Sequence, residues 1–399
     1  MTKRVLQLGV IGLGRAFTLM LPTFVADKRV KLVAAADPRP EARALFQREF
    51  GRAHESIEVL CANPVVDAIY IASPHQLHAE HVRIAAGAGK HVLVEKPMAI
   101  TLPECQAMIA AAAAAGVHLI VGHSHSFDAP IRRLRQIVDS GAVGAVRMIN
   151  ALNYTDFLYR PRRPEELVTS AGGGVIFSQG AHQIDMVRLI GGGRVKTVTG
   201  STGAWDPARP TEGAYSALLQ FEDGAFATAT YSGYGHFDSD ELTGGIGELG
   251  QAKDASRYGA SKKALAGAGD AAAEATLKNA RNFGGPSYVP AAPVPGLLHQ
   301  HFGFLMASCE RADLRPLPSG VMIYGEEAAR LDPLPSPSVP RAEVIDELYD
   351  AIVHGRPTLH NGGWAMATLE VCLAIIDSAR LGITVSLRHQ TGLAPSKEP

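Results

Sequence analysis

Tryptophan is scarce, with 2 residues among 399, and cysteine is little commoner, with 4. Cys61, Cys105, Cys309 and Cys372 lie far apart and form no C-x-x-C pair. A disulfide framework is therefore not indicated, and a chain this long needs no covalent staples. A reducing, cytoplasmic setting is expected. Excess charge of one sign is also missing: 38 Lys plus Arg stand against 39 Asp plus Glu, for a net charge of -1. That balance gives no electrostatic pull toward nucleic acid or an anionic membrane. Long apolar runs are absent as well. The Ala-rich stretch Ala110–Ala115 falls well short of the ~20 apolar residues of a membrane span, and the run Val5–Ile11 is too short for a secretory leader. Partners are expected to be a small-molecule substrate and further copies of the chain, not nucleic acid or membrane.

What is present is a large apolar fraction, 46% of residues against 19% charged, enough for sizeable cores in more than one domain. Nearly continuous apolar runs at Val5–Ile11, Lys31–Ala36, Asp67–Ala72, His91–Val94 and Val117–Val121 alternate with amphipathic segments. That rhythm predicts a parallel sheet covered by helices, an α/β Rossmann domain over residues 1–125. A helix is predicted over Asp128–Ser140. Longer, turn-linked strands follow at Ala145–Tyr154, Val195–Thr202, Ala214–Phe221 and Ala225–Tyr234, with helices at Val175–Ile190, Ala342–His354 and Trp364–Leu381. These predict an α+β domain with a large, open, mostly antiparallel sheet over residues 126–390. Residues 250–295 are rich in Ala, Gly, Lys, Ser and Pro and read as a low-complexity insertion without fixed structure. Residues 331–340 read as an extended linker, the chain after Leu387 as frayed, and 391–399 as a tail.

The first predicted strand runs into Gly12-Leu13-Gly14-Arg15-Ala16-Phe17. Gly12 permits a tight turn, Gly14 lets backbone approach a pyrophosphate, and the following helix aims free N–H groups at that anion. The third glycine of the fingerprint is Phe17, which must fill space instead. Asp37 follows Gly14 by 23 residues, close to the ~20 at which an acid meets the adenosine ribose diol. That favours NAD over NADP. Two readings of Asp37 stand side by side, ribose ligand or cap of a helix beginning at Pro38, and Arg39 is of the type that accepts a 2′-phosphate. Ser73-Pro74-His75, His78, and Glu95-Lys96-Pro97 fall after further strands, where open α/β sheets place ligands.

Gly9–Arg15, the Ser73–His78 turn, Glu95-Lys96-Pro97, Gly172-Gly173-Gly174 and Gly180-Ala181-His182-Gln183-Ile184-Asp185 together resemble the glucose-fructose oxidoreductase and inositol dehydrogenase (Gfo/Idh/MocA) family. The resemblance implies NAD(P)-dependent oxidation at a carbinol and self-association, as dimer or tetramer, through the open sheet. It implies catalysis by Lys96 and His182: histidine titrates near neutrality and can accept a hydroxyl proton, while a lysine stabilises the oxygen losing it. The family commonly carries aspartate four residues before this histidine, where this chain has Ser178, so Tyr154 is a second candidate base. His125 is expected to reach substrate. His123 with His125, and His299 with His301, show no third ligand, and no metal is expected.

Tyr159-Arg160-Pro161-Arg162-Arg163-Pro164 sits where the resemblance places a loop over the substrate. Guanidinium forks suit carboxylates, whereas a polyol is better met by Asp, Asn and Lys. Residues Arg15–Met20, Thr155–Arg160 and Cys309–Arg315 are similar to the branch of the family that oxidises phthalate cis-dihydrodiol to a catechol. Sugar or inositol oxidation, and a redox-inactive NAD-binding regulator, are the alternatives.

Overall fold

The computed structural model describes residues 4–290 and 296–393. The chain divides into two compact units, Met1–His123 with Ala275–Pro293 and Ser338–Met366, and Ser124–Glu274 with Val294–Pro337 and Ala367–Pro399. The first holds six parallel strands, β1 (Leu6–Ile11), β2 (Val30–Ala36), β3 (Arg52–His54), β4 (Ala68–Ile71), β5 (His91–Val94) and β6 (Leu119–Val121), in the order β3-β2-β1-β4-β5-β6. Their connections are α1 (Arg15–Ala26), α2 (Pro40–Glu49), α3 (Ile57–Cys61), α4 (His78–Gly87) and α5 (Leu102–Ala115). β4 is buried throughout and β1 nearly so, as continuous apolar runs require. Only the short edge strand β3 escaped the sequence pattern. The strand order reverses between β1 and β4, and ligands bind such sheets beyond the carboxyl ends at that switch.

After α6 (Ala129–Asp139) the second unit forms a nine-stranded sheet. It comprises β7 (Val146–Tyr154), β8 (Val195–Gly203), β9 (Ala214–Phe221), β10 (Phe226–Ser232), β11 (Phe304–Cys309), β12 (Ala312–Leu317), β13 (Gly320–Gly325), β14 (Ala329–Pro333) and β15 (Val385–Ser386). The order is β14-β13-β12-β11-β7-β10-β9-β8-β15, and β7 pairs with β10 in parallel within an otherwise antiparallel sheet. α7 (Ala181–Ile190) lies on one face: the Tyr215 hydroxyl donates to Gln183 Oε1 at 2.6 Å, and Gln183 Nε2 donates to the Thr230 carbonyl at 3.1 Å. The other face stays open, with Leu218, Phe226 and Tyr324 exposed.

β11 to β13 fall in a stretch for which the sequence pattern carries no expectation, and β14 takes up the start of the expected linker at 331–340. These strands are only 5 or 6 residues long, and Pro316 inside β12 weakens the strand signal. Pairing along the meander supplies what the local pattern lacks. The expected insertion likewise contains α8 (Ala260–Ala266) and α9 (Ala271–Asn279). Glu274 is buried there and accepts from Arg209 Nη1 at 2.8 Å, and Phe283 is wholly buried. Sparse apolar composition hid two strong anchors. Residues 291–295 of that segment lie outside the described residues. α10 (Ala342–His354) and α11 (Gly362–Leu381) fall within two residues of expectation. The chain beyond Leu387 is not loose at its start, because the Glu370 carboxylate accepts the N–H groups of Arg388 and His389 at 2.7 and 2.9 Å. Of the expected tail, 394–399 lie outside the described residues.

Candidate functional site

In the first unit, β1 ends at Gly12 with φ +88°, and a Cβ there would stand 2.9 Å from the backbone of Ala72 and Ser73. Only glycine fits. At Gly14 a Cβ would meet nothing nearer than the Ala72 carbonyl at 3.9 Å, so this glycine keeps the backbone open instead of avoiding a clash. Gly14 caps α1 without a side-chain acceptor, and the first turn carries no acid. Its N–H groups and positive dipole end are thereby left for an anion. α5 shows the contrast, its N-terminus closed by a Thr101–Glu104 capping box. Arg15 and Ala16 open α1; the Arg15 guanidinium donates to Thr18 Oγ1 at 3.2 Å. Phe17 is wholly buried against Phe46 and Phe283, with ring centroids 6.3 and 5.2 Å away.

Asp37 is buried, and its Oδ2 accepts the Leu13 N–H at 2.7 Å. Its Oδ1 accepts the Arg39 N–H at 2.9 Å and Arg39 Nε at 3.0 Å. The cap of α2 is Arg39, followed by Pro40, so the reading of Asp37 as a helix cap is replaced: the helix begins two residues later than expected. Asp37 instead ties the glycine turn to the end of β2. Arg39 folds back, donating to the Leu13 carbonyl at 2.8 Å and the Phe283 carbonyl at 3.3 Å.

Ser73, Pro74 and His75 form the turn after β4, and Ser73 Oγ lies 2.8 Å from His81 Nδ1. His78 is wholly buried, with Nδ1 and Nε2 each 3.0 Å from a carbonyl, of Pro97 and of Ser73. Burial pulls its pKa down to about 4, and a neutral ring donates to one carbonyl at a time. Glu95 is also buried and accepts from the Tyr70 hydroxyl at 2.6 Å; burial raises its pKa against the lowering influence of Tyr70 and Lys96. Both residues were expected among cofactor ligands. Their contacts instead brace, from beneath, the turn that carries half-buried Lys96 beyond β5.

In the second unit, His182 begins α7 just after a π-turn, Ile176–Gly180, that contains Ser178; such wide turns recur at functional sites. The His182 ring meets His125 at a 4.7 Å centroid distance and 64°. Phe302 flanks both rings, at 5.2 and 4.9 Å. His125 Nδ1 is 2.6 Å from Asp128 Oδ2, and Nε2 is 3.3 Å from Glu248 Oε1. Burial, the largest influence, lowers the pKa of His125, but Asp128 and then Glu248 together push it up to about 9. A ring facing carboxylates through both nitrogens carries both protons. The turn bearing His125 is fixed to α7, since the Ser126 hydroxyl donates to Asp185, which also accepts from Thr368 Oγ1 at 2.8 Å. Of this cluster the sequence singles out His125 and His182 but not Asp128, and the expectation that His123 and His125 lack a third ligand is corrected: ligand atoms of His123, His125 and Asp128 lie within 4.8 Å of one another. Glu248, Phe302 and Tyr231 were missed, because nothing local marks residues brought in from distant segments.

Tyr154 corrects another expectation. Tyr231 pairs with Asn153, and Tyr154 with Ser232. Alternation therefore sets Tyr154 on the face away from α7, where its ring meets Phe237 at 5.9 Å. Tyr231 is the tyrosine on the face of α7; it stacks on Phe302 at 6.1 Å, and its hydroxyl is 2.6 Å from Thr155 Oγ1.

The three arginines also separate. Arg160 Nε binds Asp156 at 2.9 Å, and Arg163 Nε pairs with Glu165 at 2.9 Å while its N–H donates to Glu166 at 2.7 Å. Arg163 thus has its charge matched within its own turn, although its buried Nε, like that of Arg162, has no hydrogen-bond partner among the described residues. Arg162 is different. Its side chain is 10% exposed, stands 3.5 Å over the Phe157 ring and donates through Nη2 to the Phe157 carbonyl at 2.6 Å. Its nearest carboxylate, Glu166, is 4.0 Å away, and Nε has no hydrogen-bond partner among the described residues. Burial pulls its pKa down to about 10.

A doubly wound sheet whose first glycine turn faces an uncapped helix, joined to a unit with a buried histidine pair, defines a nicotinamide-dinucleotide-dependent dehydrogenase. Residues 6–123 match the oxidoreductase family with NAD-binding Rossmann fold, and 131–250 match the GFO/IDH/MocA C-terminal domain. The chain belongs to the Gfo/Idh/MocA oxidoreductase family. It is 49% identical over 377 residues, 94% of this chain and 95% of the other, to 1-carboxy-3-chloro-3,4-dihydroxycyclohexa-1,5-diene dehydrogenase of Comamonas testosteroni. Inositol 2-dehydrogenase 2 of Saccharopolyspora erythraea is 30% identical over 61% of this chain and 72% of its own. Among solved structures, a protein of Bordetella bronchiseptica RB50 has a TM-score of 0.91 at 44% identity, covering 96% of this chain and 100% of that one. WlbA dehydrogenase from Bordetella pertussis, solved with NADH and UDP-GlcNAcA, shares the fold at TM-score 0.68 and 18% identity, covering 96% of this chain and 99% of that one.

Proposed function

We propose that this dehydrogenase oxidises a carboxylated cyclohexadiene cis-diol to the corresponding catechol, with phthalate 4,5-cis-dihydrodiol as its substrate. The observation that carries the reading is Arg162, a buried guanidinium with a donor to spare, in a chain half identical to an enzyme named for a carboxylated dihydroxycyclohexadiene. A substrate carboxylate would supply the missing charge-assisted hydrogen bond, with Arg160 and His125 as further cations of the same unit.

NAD, held by Gly12–Phe17 with Asp37, supplies the hydride acceptor. His182 takes the proton of the ring hydroxyl being oxidised, and Lys96 donates a hydrogen bond to that oxygen. The ketone that remains enolises to an aromatic catechol, which draws the reaction toward oxidation. Asp37 favours the ribose diol of NAD over the 2′-phosphate of NADP.

The assembly we propose is a dimer or tetramer formed through the open sheet face, where Leu218, Phe226, Met322 and Tyr324 expose apolar surface. The setting is the cytoplasm, with the four cysteines free. No helix among the described residues is long and apolar enough to cross a membrane. The test is NADH formation, followed by absorbance, with phthalate dihydrodiol, benzene dihydrodiol, myo-inositol and glucose. Fastest turnover of the carboxylated diol is expected. Preference for inositol or glucose would transfer the reading to polyol oxidation, and no turnover of any of them would point to a redox-inactive binding protein.

A further inference from the structure

The segment after α9 is anchored where sequence composition gives no reason for it. Phe283 is wholly buried, edge-on to Phe17 at 5.2 Å, and meets Tyr288 at the same distance. Its carbonyl accepts from Arg39 Nη1 at 3.3 Å. Gly284, at φ +76°, approaches the start of α2 so closely that a Cβ would stand 2.9 Å from the Ala42 backbone. The turn closes on itself through Ser287 N–H to the Ala280 carbonyl at 2.9 Å. Residues 280–288 are therefore seated on α1 and α2, beside the Asp37–Arg39 pair and the glycine turn. A plain surface loop has no use for these contacts.

Two residues before Phe283, Arg281 is exposed to solvent. Burial first, then the like charges of Arg281 and Arg341, hold the Arg15 guanidinium below its ordinary pKa. Arg341 is placed with equal care: Thr23 Oγ1 donates to the Pro340 carbonyl at 2.7 Å, and Arg341 takes φ 52°, a left-handed conformation costly outside glycine. Arg341 also faces the Glu95 carboxylate, whose pKa it lowers, which leaves Arg15 and Arg281 as neighbouring like charges beside a helix N-terminus that has no acid in its first turn. Two like charges so placed favour an anion between them.

We infer that Arg281, carried by the Phe283-anchored segment, is a ligand of the cofactor's diphosphate, acting with Arg15 as a clamp over the Gly12–Gly14 turn. This rests on the dinucleotide site and adds to it a residue that the G-x-G motif does not contain. Arg39, bound to Asp37, is left to the ribose end.

The test is binding by the full chain of NADH, ADP and adenosine, measured by calorimetry for the parent, Arg281→Gln and Arg281→Lys, with thermal melting as a folding control. Arg281→Gln is expected to weaken NADH and ADP by roughly ten-fold, the scale of one lost charge-assisted hydrogen bond, while leaving adenosine unchanged. Arg281→Lys should restore part of the loss. Unaltered ADP affinity in Arg281→Gln, or adenosine weakened in the same proportion as ADP, would overturn the clamp. Failure of the parent chain itself to bind NADH would instead overturn the dinucleotide reading beneath it.

Discussion

The two units each bury a histidine in the neighbourhood of a proposed catalytic residue, and they use it in opposite ways. His78 lies among carbonyls, stays neutral and staples the turn that carries Lys96. His125 is as deeply buried, yet two carboxylates hold it charged beside His182. Burial alone pushes either ring toward neutrality, so the charge of the partner, and not depth, decides the state. The arginines differ in the same way, by the charge of the partner: Nε of each lacks a hydrogen-bond partner among the described residues, but Arg163 has the Glu165 carboxylate at 2.9 Å, whereas that of Glu166 stands 4.0 Å from Arg162. A group whose partners all lie within the fold is structural, and one whose partners fall short is available to a ligand.

Mutation of the residues proposed to react should give the largest effect and tests whether the two units contribute equally. Lys96→Ala and His182→Ala should each lower kcat by about 10² to 10⁴-fold, with NADH affinity nearly retained in His182→Ala. Steady-state kinetics with a carboxylated diol, alongside NADH titration, checks this. Near-normal turnover of His182→Ala would move the base to another group, with Tyr231 now ahead of Tyr154.

Next in size is the arginine contrast. Arg162→Met should raise KM for a carboxylated dihydrodiol by roughly 10- to 100-fold, the scale of a lost hydrogen bond to a charge, while an uncarboxylated dihydrodiol remains as poor a substrate as before. Arg163→Met should change neither KM by more than about two-fold, since the charge of Arg163 is already matched by Glu165 and Glu166 within its own turn. Equal losses from both substitutions would erase the distinction between satisfied and available guanidinium groups.

These two sites differed in how far the sequence revealed them. Gly12, Gly14, Asp37 and Lys96 stand at the ends of apolar strands, so local pattern and strand order located them without tertiary detail. The second unit depends on pairing. Shifting a strand's side chains by one residue moves them to the opposite face, which is why the strand pattern points to Tyr154 while the tyrosine on the face of α7 is Tyr231. Glu248 reaches His125 across 123 residues, and Phe283 sits in a stretch whose average composition conceals it. β11 to β14 stayed hidden because short strands with a proline and alternating charges declare themselves only beside their partners.

A smaller effect is expected at the cofactor's ribose. Asp37 ties the Leu13 N–H and Arg39 together, so Asp37→Ala both removes the proposed diol acceptor and frees a guanidinium. The ratio of NADP to NAD affinity should rise by roughly ten-fold, read by calorimetry. A tighter affinity of the parent for NADP would show that Arg39 leaves Asp37 when the cofactor binds.

The smallest effect returns to the two histidines, whose shifts have opposite signs. His125 has a folded pKa raised to about 9 from an unfolded value of about 6.5. Its contribution to stability is fully present below about pH 6.5 and is lost as pH rises through about 9. His78 has its folded pKa lowered to about 4, so its burial is tolerated above about pH 6.5 and becomes destabilising as pH falls from there toward 4. Urea-unfolding midpoints across pH 4 to 9 should therefore decline at both ends. Asp128→Asn removes the main charge that raises His125, and should flatten the alkaline limb while leaving the acid limb in place. His78→Gln should do the reverse. If Asp128→Asn leaves the alkaline limb unchanged, His125 is not held charged by its carboxylates, and the contrast between the two units fails at its clearest point.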